Sequence, residues 1–272
     1  MERKNLKKSN KSEELLRLAK NMRRIILEVS LNCGEPAHIG GGLSIVDIMA
    51  VLYGNILKLD AKNPIDRFIL SKGHGFLGLL SALHCSGFIK KDELMKFQTN
   101  GSELIAHPIV NPKFGIESSN GSLGQGLSFG VGIATAYKKK LKQGNIYVLI
   151  GDGECYEGAI WEAAIAATES NLDNLTVIVD SNGFQNDGAI NEKMNSIELR
   201  SKWQGFGWNT IMCNGHNIDE LVETLKNKII NKPTAIIAKT TKGKGVGFME
   251  NNNDWHHGRL TQKLFEEAIK DL

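Results

Sequence analysis

Two apolar runs, IYVLI (146–150) and LTVIV (175–179), stand about thirty residues apart, the length of one strand–helix–strand unit. Between them GAIWEAAIAATES has the composition of a helix, so the pair reads as two parallel strands joined by a crossover. Each run ends in a polar cluster: Gly151-Asp152-Gly153 after the first, Asp180-Ser181-Asn182 after the second. That puts Asp152 and Asn182 just past the carboxyl ends of neighbouring strands, the edge where open α/β sheets bind ligands. A carboxylate and an amide oxygen are hard donors, suited to Mg²⁺ (with Ca²⁺ or Mn²⁺ as substitutes) and poor for zinc. Two protein donors are too few for a structural cage and right for a cation that also carries phosphates. The glycines at 151 and 153 let backbone approach those phosphates. A dinucleotide site is the rival reading, but GDGECYEG is not G-x-G-x-x-G, and Asp152 would repel an approaching phosphate unless a cation intervened.

The rest of the chain extends the alternation. Strands are expected near 67–71, 145–150, 175–180, 208–213 and 234–239. Helices are expected at 12–30 with Ser12 as cap, 44–57 opened by Ser44, 76–87, 91–98, 123–140, 157–170, 192–204, 218–230 and 261–271. CGEPAHIGGGLS (33–44) reads as a glycine-rich loop, and 99–122 as a long loop, which in a compact domain is usually functional. The fold expected is a three-layer α/β domain over 15–272, with a largely parallel sheet and helices on both faces. Residues 1–14 read as a basic, flexible tail. A net charge of +3 gives no reason to expect nucleic acid as partner. The four cysteines form no CxxC pair, which argues against a zinc or disulfide framework. No apolar run reaches the ~18 residues of a membrane span, and the N-terminus lacks the apolar core of a secretory signal. A cytoplasmic protein is expected.

GDGECYEGAIWEAAIAATESNLDNLTVIVDSNGFQNDG resembles the thiamine diphosphate motif of transketolases, and further segments agree in the order that family has them. The resemblance spans about residues 20–260. It implies that Asp152, Asn182 and the main-chain carbonyl of Phe184 bind Mg²⁺, with Gly153 against the diphosphate. AHIGGGLS implies a substrate-side His38, ILSKGHG a His74 near the diphosphate, and AHP a substrate-side His107. GSLGQG implies a cofactor lining of Gly121, Ser122 and Leu123. In KGKGVGFMENNNDWHHG, anchoring on Trp255 selects His256, and anchoring on the His-Gly pair selects His257; His256 is preferred. Glu157 reads equally as favourable charge at a helix start and as a cofactor-side residue at a subunit interface. Trp161 reads as packing, and His84 and His216 as structural. Lys244 reads as a phosphate grip or part of a solvated loop.

By this resemblance His38, His107 and His256 handle hydroxyl protons, and a two-carbon ketol unit passes from a ketose phosphate to an aldose phosphate. The glutamate that activates the cofactor's pyrimidine would belong to a second domain, which the sequence does not contain. The expected partner is therefore a separate C-terminal transketolase subunit carrying the pyrimidine-binding domain, in an α2β2 assembly. The acceptor sugar stays open between the pentose phosphate pathway and a specialised route. Three other readings remain at this point. The chain could be a subunit of another thiamine diphosphate enzyme (deoxyxylulose phosphate synthase-like or the α subunit of a 2-oxo acid dehydrogenase), a nucleotide-binding oxidoreductase, or a non-catalytic subunit that kept the fold.

Overall fold

A computed structural model describes residues 2–59 and 65–272. Helix α1 (Glu2–Cys33) opens the chain. Its residues Leu15, Ala19, Met22, Ile25, Ile26 and Val29, three and four apart, are all buried, while Leu16 is 53% exposed. Ser12 is not its cap: it lies within the helix, and its hydroxyl donates to Asp219 Oδ1 at 2.6 Å. Of the segment expected as a basic tail, Met1 and the side chains of 2–9 lie outside the described residues. The backbone from Glu2 onward belongs to α1.

Five parallel strands form the central sheet: β1 (Arg67–Leu70), β2 (Ile146–Gly151), β3 (Leu175–Ser181), β6 (Asn209–Asn214) and β7 (Thr234–Lys239). Their order across the sheet is β1-β2-β3-β7-β6. The short pair β4 (Phe184–Gln185) and β5 (Gly188–Ala189), not expected from sequence, makes an antiparallel hairpin just beyond β3.

Alternate strand residues face opposite layers, as the two-residue period requires. Tyr147, Leu149, Ile178 and Ile236 join a core with α1, α3 (Val46–Val51), α4 (Phe76–Cys85) and α9 (Ile218–Lys226). Ile146, Val148, Ile150, Val177, Val179 and Ile237 join a second core. That core is completed by α6 (Gln125–Lys139), α7 (Gly158–Glu169) and α8 (Ser196–Gly205). This is the three-layer arrangement expected. Trp161 packs in the second core, stacked on Phe206 at 5.2 Å, and donates its indole N–H to Cys155 O.

Of the expected glycine-rich loop, 34–38 is non-helical as expected, but the rest is a helix, α2 (Ile39–Ser44), buried along its whole length. Three successive glycines are poor helix formers, and packing overrides that preference. A Cβ on Gly40 would sit 2.8 Å from Trp255 O, one on Gly41 2.9 Å from His74 O, and one on Gly42 3.1 Å from Leu77 Cβ. The glycines let α2 lie directly on the backbone of two site loops. Ser44 accordingly ends α2 rather than capping α3, and its hydroxyl reaches Asp180. Other helices are shorter than expected, among them α5, only Lys91–Leu94, and α9, which stops at Lys226. The chain closes with α10 (Gln262–Ala268).

Two glycine substitutions separate packing from propensity. A Cβ on Gly132 of α6 would meet no atom within 4 Å, so Gly132→Ala is expected to stabilise the isolated chain by about 1 kcal/mol. Gly41→Ala, with the same helical gain, is expected to destabilise by about 1–3 kcal/mol because backbone must move. Denaturant midpoints of the two variants measure both; equal shifts would refute the packing argument.

Candidate active site

The parallel register brings four loops out along one edge of the sheet. Gly151 lies opposite Asp180, and Ser181 lies opposite Lys239. Ser71 N bonds Leu149 O, Asp152 N bonds Asp180 O, and Thr240 N bonds Ser181 O. Segments 71–75, 151–154, 181–186 and 240–243 therefore leave β1, β2, β3 and β7 side by side, although they are scattered in sequence.

Asp152 ties two of these loops. Its Oδ1 accepts from Gly153 N at 2.8 Å and its Oδ2 from Gly183 N at 2.7 Å. Asn182 is oriented from both ends: its Nδ2 donates to Asp180 Oδ2 at 2.9 Å, and its Oδ1 accepts from Phe184 N at 3.0 Å. Asp152 and Asn182 both line a cavity together with Gly153, Phe184, Leu123, Glu157 and His74, among others. A Cβ on Gly153 would meet Gln185 Cβ at 2.9 Å, so backbone alone fits there. Burial and the neighbouring Asp180 charge push the Asp152 carboxyl up to about 7. A nearly buried acid raised in this way is one that a cation would relieve.

Asp180 itself is fully buried beneath Asn182. Burial pushes its carboxyl up, but the Lys72 ammonium and hydrogen bonds from Thr240 and Ser44 outweigh that and hold it below the usual range. Glu154, also buried, accepts from Ser71, from Gly124 N at 2.8 Å and from Gly151 N at 3.1 Å. It staples the β1 loop, the GSLGQG loop and the end of β2 together. Removing such an acceptor strands three buried donors, at about 1–3 kcal/mol each.

The histidines converge from four distant segments. His38 lies 4.8 Å from His74, 5.1 Å from His107, 5.5 Å from His256 and 4.6 Å from His257, ring centre to ring centre. His74 is also 5.0 Å from His107 and 5.4 Å from His256. Burial, then the charge of its neighbour His74, pushes His38 down to about 2. Burial and His107 push His74 down to about 4. Burial and Lys242 push His256 down to about 4, and burial lowers His107. All four are neutral near pH 7. The ring nitrogens of His38, His74 and His107 lie within 4.8 Å of one another. Among the described residues no carboxylate orients these rings, as one does in dedicated metal centres, and Lys72 and Lys242 place positive charge beside them. The cluster is better built for proton exchange than for a metal.

The structure thus brings His38, His74, His107 and His256 together, with His257 beside them. Gly121 stands against His107, whose ring lies 3.8 Å from a Cβ there. Leu123 and Glu157 line the cavity, whereas Gly121 and Ser122 do not, and both of these are exposed. Lys244, weighed as a phosphate grip, pairs with Glu250 at 3.1 Å and lies outside this cavity. Its place is taken by Lys242, whose Nζ meets Asn253 Oδ1 at 2.6 Å and His256 Nδ1 at 2.9 Å. Burial and Lys72 push this amine down to about 8. Lys72 and Lys242 were missed in sequence, and the available signal was a lysine directly after a strand in SKGHG and TTKGKG. His84 bonds Ile89 O and belongs to the fold.

Fold and donor set are those of an α/β domain built around a cofactor. The family model described as "Transketolase, thiamine diphosphate binding domain" matches residues 17–271. The chain is 40% identical over 265 residues to one subunit of the apulose-4-phosphate transketolase of Actinobacillus succinogenes, covering 96% of each. It is 38% identical over 271 residues to the 6-deoxy-6-sulfo-D-fructose transketolase subunit SqwG of a Clostridium species, covering 97% of this chain and 98% of that one. The crystal structure of transketolase from Campylobacter jejuni superposes with a TM-score of 0.84 at 30% identity, over 94% of this chain but 42% of that one. The chain belongs to the transketolase family and constitutes its thiamine diphosphate-binding domain. It spans the length of relatives that are named as single subunits of a transketolase and about two fifths of a full-length transketolase.

Proposed function

We propose that this chain is the diphosphate- and metal-holding subunit of a two-chain transketolase, moving a two-carbon ketol unit from a ketose phosphate to an aldose phosphate. The observation that carries this is one cavity lined by an acid–amide pair, a bare glycine backbone and the imidazoles of His74 and His256, with His38 and His107 packed against those rings. Asp152, Asn182 and the Phe184 carbonyl would hold Mg²⁺, with Ca²⁺ or Mn²⁺ as substitutes, and Gly153 would lie against the diphosphate. His74, Gly121, Ser122, Leu123 and Glu157 would line the cofactor. Bound thiamine diphosphate supplies a stabilised carbanion equivalent.

The chain's own residues then manage protons and position. Lys242 donates to His256 Nδ1, so neutral His256 carries its proton on Nε2 and meets substrate as a donor. His38 and His107, with no protein hydrogen bond on their ring nitrogens among the described residues, are free to exchange protons with sugar hydroxyls. Asp180, held by Lys72, Thr240 and Ser44, fixes the Asn182 amide, whose oxygen would serve the cation.

The partner would be a C-terminal subunit carrying the pyrimidine-binding domain, in an α2β2 assembly, with sugar phosphates as substrates. No described helix is long and apolar enough to cross a membrane, and a cytoplasmic location is the reading we adopt. Titrating thiamine diphosphate into the purified chain by calorimetry tests the site. Binding is expected with Mg²⁺ and is expected to disappear in EDTA, with no heat from NAD. Metal-independent binding, or NAD binding in its place, would overturn the assignment.

A further inference from the structure

His216 lies outside the cavity, in CNGHN, yet it contacts the loop that carries Lys242. Its Nε2 accepts the backbone N–H of Thr241 at 2.8 Å. A backbone N–H only donates, so Nε2 is bare and the ring proton sits on Nδ1. That proton goes to Asp47 Oδ2 at 2.7 Å, and the same oxygen accepts from Arg23 Nη2 at 2.6 Å. Asp47 is 4% exposed, on α3. Arg23 also donates from Nε to Lys244 O at 3.1 Å. Two groups on the α1–α3 side therefore grip the loop on either side of Lys242.

The glycines around this grip match it. A Cβ on Gly215 would lie 2.4 Å from Thr240 Cγ2, and one on Gly245 2.7 Å from Arg23 Cδ. Backbone closeness at both ends brings His216 and Arg23 within reach of the loop. The gripped peptide also stands between two site contacts: Thr240 donates to Asp180 beneath Asn182, and Lys242 reaches His256.

We propose that His216, held in one tautomer by Asp47, is a positioning residue that sets the 240–242 loop, and through it Lys242 and His256, for catalysis. The link to catalysis rests on the function proposed above; the grip itself does not. The chemistry predicts three different variants. Asp47→Asn keeps its amide oxygen toward Arg23 Nη2 and Nδ1, since both donate to the same oxygen, and so preserves the tautomer with a neutral acceptor. His216→Phe removes the acceptor. His216→Gln keeps an amide oxygen able to accept at that place.

The test uses the full chain with its cofactor and partner subunit, with melting curves to confirm folding. Amide exchange at Thr241 is read by NMR or mass spectrometry, and kcat by ketol transfer. Exchange is expected to rise about 10-fold or more in His216→Phe and to stay within about 3-fold of wild type in Asp47→Asn. In His216→Phe, kcat is expected to fall about 10-fold or more with KM within about 3-fold, as for a displaced group. His216→Gln is expected to restore both readouts. Unchanged Thr241 exchange in His216→Phe would overturn the inference, as would full kcat despite fast exchange. Failure of Gln to restore either readout would reduce His216 to a packing residue. If the wild-type complex transfers no ketol unit, the proposed function fails, and the exchange measurement still decides the grip.

Discussion

Asp152→Ala is expected to leave the chain folded and to raise the dissociation constant of thiamine diphosphate, measured with Mg²⁺, by about 100-fold or more. The carboxylate is the one charged donor of the proposed cation site, and the diphosphate would be held largely through that cation. The loss has a pH signature. Without metal the Asp152 carboxyl sits at about 7, against 3.8 for the ordinary group. A proton therefore competes with Mg²⁺ below neutrality. Cofactor affinity is expected to gain about tenfold per unit as pH rises toward 7 and to level off above it.

Stability of the metal-free chain runs the other way. Between 3.8 and about 7 the folded chain holds a proton that the unfolded chain has released, so stability falls as pH rises through that window. Asp152→Asn is expected to flatten that slope while keeping an acceptor for one loop amide. Calorimetric titrations at pH 6, 7 and 8, with melting curves at the same values, measure both effects. Wild-type affinity in Asp152→Ala would refute the metal assignment, and affinity independent of pH would refute the proton competition.

The second large effect concerns the partner. The chain alone, saturated with Mg²⁺ and thiamine diphosphate, is expected to turn over about 100- to 10,000-fold more slowly than the two-chain complex, the range that one acid–base group commands. The cavity carboxylates explain why. Asp152 ties two loops, and Glu154 is occupied by three donors. Glu157 and Asp187 remain, exposed at the cavity wall. Both are open to solvent rather than enclosed in the site. Co-purifying the chain with a C-terminal subunit and comparing ketol transfer with the chain alone measures the ratio. Full turnover without a partner would end the two-chain proposal.

Several features were legible in the sequence because they are local. The period-two and period-3.6 patterns mark the strands and long helices, and the turn after each strand marks where Asp152 and Asn182 emerge. The 39–44 part of the expected glycine-rich loop was misread because three glycines argue against a helix when taken alone. Its helix exists because only glycine fits between α2 and the backbone of His74 and Trp255. Lys244 attracted notice in KGKG, but the loop turns it outward to Glu250 and turns Lys242 inward. His216 gave no signal of its own, since its partners Asp47 and Thr241 lie on other elements.

By itself the sequence determined the α/β alternation, the hard-donor pair at a strand edge, and the family to which those motifs belong. Each depends on residues close together along the chain or on motifs in a set order. Only the tertiary structure decided which imidazoles meet, which lysine faces the cavity, and which buried acids hold the loops in place. Those outcomes depend on strand register and helix packing, which join residues more than a hundred positions apart, as Lys72 and Asp180 show.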